Sequence, residues 1–129
     1  MDLPKIESVF EFDFVSEIGQ KYQGTFTVLS VLDIGQKHRL ELEKTKLLGN
    51  YQSPTDGLVG ITIILAALRI KIIDGPDWWK QSRGGYDVKD EDALVALYDK
   101  VQAAEGEWRE KLKEMGKKAQ TPSNPANPQ

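Results

Sequence analysis

Polar and apolar residues alternate near the start of the chain. In VFEFDFV (9–15), Phe10, Phe12 and Phe14 are separated by Glu11 and Asp13, a period of two that marks a strand with one buried face. SEIGQK follows, where Gly19 can take the positive φ of a tight turn. YQGTFTVLSVL (22–32) is rich in β-branched and aromatic residues and predicts the partner strand. The first third therefore predicts an antiparallel hairpin. A lone hairpin is marginal in water, so its Phe face needs another element on top.

The period then lengthens. Asp33 is placed to cap a helix running to about Leu48, with Ile34, Leu40, Leu47 and Leu48 as apolar contacts and Gly49-Asn50 as the stop. After the loop NYQSPTDG, Ser53 and Pro54 predict an N-cap and first turn. LVGITIILAALRIKII (58–73) is apolar nearly all round in its first two-thirds. Its length favours a buried helix and Ile-Thr-Ile-Ile favours a strand; helix is the reading, with RIKII free to become extended before Asp74. Pro76 suits the first turn of a short helix carrying Trp78 and Trp79, ended by Arg83-Gly84-Gly85.

From about Asp87 a final helix is expected. Asp87, Asp90, Glu91 and Asp92 gather at its positive end, with Asp87 or Asp90 as the cap. Leu94, Tyr98, Val101, Trp108, Leu112 and Met115 recur at helical spacings and form one apolar seam, in which Glu105 is the only misfit. These elements predict an α+β fold: an N-terminal antiparallel β-hairpin packed on a small helical set with a long amphipathic C-terminal helix. Residues 1–118 make a single domain. The Pro/Asn-rich stretch over 119–129 has too little apolar surface to order itself and is expected to be a flexible tail.

Length and charge narrow the function. A chain of 129 residues holds one domain with a real core. A net charge of −3 gives no global drive toward nucleic acid or anionic lipid. The absence of cysteine removes disulfides, thiolate metal sites and cysteine nucleophiles together. The most apolar stretch, Leu58 to Leu68, is interrupted by Gly60 and Thr62 and is shorter than the roughly 20 residues a membrane span needs. No leader pattern opens the chain. A soluble, cytoplasmic protein is expected.

Candidate chemistry is sparse. His38 stands among charged residues with no nucleophile elbow to serve, and reads as a surface or boundary helix residue. DVKDED (87–92) lacks the calcium-loop pattern and reads as a charged helix start. Neither glycine-containing segment has the ending of a phosphate loop. Arg69, Lys71, Lys80 and Arg83 surround the tryptophan pair, as a single-strand stacking platform would require, but Asp74 and Asp77 stand beside it. No catalytic, cofactor-binding or metal-ligating residues are therefore assigned. Adjacent helical residues point about 100° apart. One tryptophan is expected to plug the core while the other lies at the rim, where it can meet a partner. Trp78, Trp79, Trp108 and Leu112 are the candidate partner contacts. Trp108, Leu112 and Met115 also offer a surface for self-association if the last helix outruns the core.

The order of these features resembles a known family. A hairpin bearing Gly19, Tyr22, Gly24 and Phe26 in the pattern G-x-x-Y-x-G-x-F comes first. A charged helix ending KLLG, an apolar helix, DGPDWW and LVALYDKVQAAEGEWREKL follow. Over roughly residues 10–115 this looks like the tail assembly chaperones of long-tailed bacteriophages. Lys117-Lys118 is also compatible with the slippery run at which that family shifts frame. The resemblance implies a non-catalytic protein of the host cytoplasm that coats the tape-measure protein, helps recruit tail tube subunits and is not retained in the virion. A structural subunit of the virion (a head decoration, neck or tail protein) is the alternative expectation.

Overall fold

The alternation read at the start of the chain becomes two paired strands. A computed structural model describes residues 6–49 and 53–120, the last three by backbone alone. Strand β1 (Glu7–Val15) pairs antiparallel with β2 (Lys21–Leu29), setting Phe10 opposite Phe26, Phe12 opposite Gly24 and Phe14 opposite Tyr22. Even-numbered residues share the inner face, where Phe12, Tyr22, Phe26 and Val28 are buried. The outer face is polar, with the Thr25 hydroxyl donating to Glu11 and the Gln23 amide to Asp13 across the strands. β2 ends earlier than its composition suggests. Ser30 leaves the strand and its hydroxyl bonds that of Ser8, so Val31 and Leu32 fall beyond the pairing.

Helix α1 (Ile34–Leu48) begins at Asp33, whose carboxylate accepts from the Gln36 N–H while the Gln36 side chain accepts from the Asp33 N–H, a reciprocal capping box. Leu40, Leu47 and Leu48 are half-buried, but Ile34 is exposed, so this expected contact is not made. His38 is exposed, as expected. Helix α2 (Asp56–Lys71) starts two residues later than Ser53 predicts. Thr55 is the cap and accepts from the Leu58 N–H at 3.2 Å, which leaves Asp56 in the first turn, where the helix dipole favours it.

The ambiguity in LVGITIILAALRIKII resolves as helix followed by strand. After Lys71 the chain becomes β3 (Ile72–Asp74), antiparallel to β2, so the sheet order is β1-β2-β3. A short α3 (Asp77–Lys80) and the long α4 (Glu91–Gln120) complete the α+β fold. α4 lies across the inner face of β1 and β2, α2 packs beside it, and α1 packs on α2. The core side of α4 is Ala93, Leu94, Leu97, Val101 and Ala104. α4 starts at Glu91 rather than Asp87, and its helix extends through Gln120 into the segment expected as a tail. Residues 121–129 lie outside the described residues.

Two charges at apolar positions hold α2 on α4. The Lys71 side chain is buried, and its ammonium donates to Gln102 at 3.0 Å and to Glu105 at 3.1 Å. Glu105, the misfit in the seam, is therefore the partner of the one lysine buried in the core among the described residues. Burial alone would push the Glu105 carboxyl up, but the hydrogen bond and charge of Lys71, with Arg109 behind them, outweigh it and hold the group below its ordinary 4.5. A carboxyl depressed in the folded state adds stability that is present above its unfolded value and is lost as pH falls through the folded one. Lys71→Met is expected to cost about 1–3 kcal/mol at neutral pH. It should also flatten the loss of stability below 4.5, which urea melts on either side of that pH measure.

Candidate functional site

The stretch from Ile72 to Asp87 closes one end of the core, and its glycines and proline are placed by close approach. Gly24 on β2 leaves a gap opposite Phe12, and Pro76 fills it. A Cβ on Gly24 would stand 2.4 Å from the Pro76 Cβ, so no other residue fits while Pro76 sits there. Pro76 then starts α3, its carbonyl accepting from the N–H groups of Trp79 and Lys80. Trp78 faces the sheet. Its indole N–H donates to the Gln23 carbonyl at 2.9 Å, and its ring meets Tyr22 edge-on at 5.0 Å and Phe26 at 5.7 Å. Trp79 is only 8% exposed and meets Phe26 edge-on at 6.3 Å.

The far side of this loop is fastened by polar groups. The buried Ser82 hydroxyl donates to the Trp79 carbonyl and accepts from the Gly85 N–H. Gly85 has φ +93°, and a Cβ there would come within 2.7 Å of Leu65. Arg69 reaches out of α2 to donate to the carbonyls of Arg83 and Gly84 and to the Glu43 carboxylate of α1 at 2.7 Å, while its guanidinium lies 4.5 Å over the Tyr86 ring. One arginine thus ties two helices and the loop together, using the planar, multi-donor geometry that lysine lacks.

The four cations flanking the tryptophans in sequence are each matched by a carboxylate: Arg69 by Glu43, Lys71 by Glu105, Lys80 by Asp74 and Arg83 by Asp87. The Arg69 and Lys71 pairs lie largely within the fold, whereas the Lys80 and Arg83 pairs lie at its exposed surface. DVKDED is similarly divided. The hydrogen bond from Arg83 holds the Asp87 carboxyl below its usual range. Asp90 stands just before α4, where its carbonyl accepts from the Ala93 N–H and its carboxylate accepts from the Tyr22 hydroxyl at 2.5 Å. Burial, and then Asp90, push the Tyr22 phenol up from 10.0 to about 12.

Of the four candidate partner contacts, the structure brings Trp78 and Trp79 together in the aromatic cluster of the core. The expected division into an inward and a rim tryptophan holds in burial, with Trp79 buried and Trp78 half-buried, while the close backbone at Gly24 and Gly75 lets the rim ring reach Phe26 as well. Trp108 and Leu112 lie apart from that pair, half-buried on the second half of α4 with Met115. Sequence reasoning missed the Tyr22–Asp90 and Lys71–Glu105 pairs. The second left a signal in two charges set at apolar positions of amphipathic or apolar helices.

Compared with protein-family models, with curated proteins and with solved structures, the chain matches none. Among the described residues, no helix is long and apolar enough to cross a membrane, and no group of His, Asp and Glu is arranged to hold a metal ion.

Both tryptophans are expected to act on stability. Trp79→Ala should cost about 3–5 kcal/mol, and Trp78→Ala should also lower the melting temperature, which thermal denaturation measures. Tyr22→Phe removes a hydrogen bond to a charged acceptor, worth about 1.5–3 kcal/mol. The raised phenol adds stability that is fully present below pH 10.0 and is lost as pH rises through about 12. The variant should therefore lose less stability over that interval, as denaturant melts in alkaline buffer would record.

Proposed function

We propose that this chain is a tail assembly chaperone of a long-tailed bacteriophage. It acts in the host cytoplasm without catalysis, binding apolar helical segments of the tape-measure protein and aiding assembly of the tail tube. The observation that carries this reading is the mismatch between the seam of α4 and the core beneath it. Among the described side chains Ala104 is the last buried one of the helix, yet apolar residues continue at helical spacing through Trp108, Leu112 and Met115, all half-buried. From Trp108 to Met115 the helix advances about 10 Å. That is enough for two anchor positions of a helix laid alongside it. Many weak copies along one long client would act through avidity rather than through a single tight site. The order of elements that resembles the tail assembly chaperones supports the same reading.

Co-expression with the tape-measure protein tests it. The client should become more soluble and co-purify with this chain, and Leu112→Asp with Met115→Asp should abolish both effects while leaving the fold intact. No complex and no gain in client solubility would overturn the proposal. Recovery of the chain from purified particles would instead make it a structural subunit of the virion.

A further inference from the structure

The order β1-β2-β3 leaves β1 at an edge of the sheet. Two backbone bonds show which of its groups face outward. The Ser30 N–H donates to the Ile6 carbonyl and the Ser16 N–H donates to the Gln20 carbonyl, both in the register of the β1–β2 ladder. Hydrogen-bonded pairs alternate along an antiparallel ladder, so the even residues of β1 bond to β2. Glu7, Val9, Glu11, Asp13 and Val15 turn their N–H and C=O groups to the open edge, and among the described residues no strand pairs with them.

The surroundings of this edge are those of a strand-accepting groove. On the inner face, Phe10 and Phe14 stay half-buried while Phe12 between them is 3% exposed. Beneath the edge a groove of about 150 Å³ runs between β1 and α4, lined by Ser8, Val9 and Phe10 on one side and Lys100, Ala103, Ala104 and Glu107 on the other. On the outer face the edge presents three acids, Glu7, Glu11 and Asp13, and two exposed valines.

We propose that β1 accepts an extended segment of another protein as a fourth strand. The segment carries lysine or arginine at the alternate positions that meet Glu7, Glu11 and Asp13, and apolar residues at the intervening positions that cover Phe10, Phe14 and the α4 groove. Main-chain bonds to the five outward residues supply affinity, and the alternation supplies specificity. A second copy of this chain fits poorly. Antiparallel self-pairing centred on Glu11 sets that residue against itself, and moving the centre to Val9 or Asp13 sets Glu7 against Glu11 or Asp13 against Asp13. Like charges directly opposite one another destabilise a strand pair. Trp108 adjoins this edge, lining a cavity with Glu7, Ser8 and Val9, but Leu112 and Met115, whose substitution tests the chaperone reading, line neither that cavity nor the groove, so the two proposals can fail separately.

The probe is a nine-residue peptide alternating lysine and valine, titrated into the full chain and followed by amide NMR. Shifts should concentrate on residues 7–15 and 100–107, and amide exchange at the odd residues of β1 should slow. A peptide of the same composition with its lysines and valines in separate blocks should bind about ten-fold more weakly or worse. Val9→Pro removes an outward N–H that the β1–β2 ladder does not use, so it should reduce binding by a similar factor with unchanged circular dichroism. If that variant folds poorly, Glu11→Lys with Asp13→Lys decides: it should lose the lysine–valine peptide and gain one alternating glutamate and valine. Equal binding of the block peptide, unchanged binding by the charge-swapped variant, or occupation of the edge by a second copy would overturn the proposal.

Discussion

Phe26 is where the strands, the tryptophan loop and the long helix meet. It is fully buried, stacks on Phe10 across the ladder and meets Phe12, Trp78 and Trp79 edge-on. A three-stranded sheet with one covered face has little apolar area to spend, and rings in edge-to-face contact gain more than their buried area alone supplies. Everything else at this end of the molecule follows from letting backbone come close to that ring. Gly75 passes within a side chain's width of it, and Gly24 admits Pro76 next to it. Once Pro76 is seated, α3 starts in the one place from which both indoles reach the cluster.

Charged groups fix the orientation of the helices on this aromatic base. Lys71 and Glu105 join α2 to α4, Arg69 and Glu43 join α2 to α1, and Tyr22 and Asp90 join the sheet to the start of α4. Desolvating such groups offsets much of what they gain by pairing, so their weight lies in register more than in net stability. A helix that is apolar nearly all round, as α2 is, could rotate among several packings of similar area. Lys71 and Arg69 reach their partners in one of them.

The outer surfaces divide into distinct zones. The outward face of the sheet is acidic along β1, whereas the second half of α4 carries the continuing apolar seam. An edge strand is bound through its backbone and a helix seam through side-chain packing, so the two zones suit different partners. The aromatic pair packs against the inner face of the sheet, apart from both zones.

The sequence by itself determined the elements whose causes are local. The period of two in Phe10, Phe12 and Phe14, the cap at Asp33, the stop at Gly49 and the long seam from Leu94 were all legible, because each depends on residues within a turn or a strand of one another. The switch from helix to strand after Lys71 was visible only as a possibility, since Ile72 to Asp74 need β2 beside them to be a strand. Tertiary structure alone decided which of Trp78 and Trp79 is the inner ring. Helical geometry separates adjacent side chains by about 100°, which suggested one inside and one outside. The structure keeps that difference, with Trp79 buried and Trp78 half-buried, and the missing side chain at Gly24, more than fifty residues away, lets the loop sink until the outer ring also touches the sheet. Pairing Lys71 with Glu105 was equally out of reach, because burial of a charge depends on a partner that only the folded chain brings within hydrogen-bond distance.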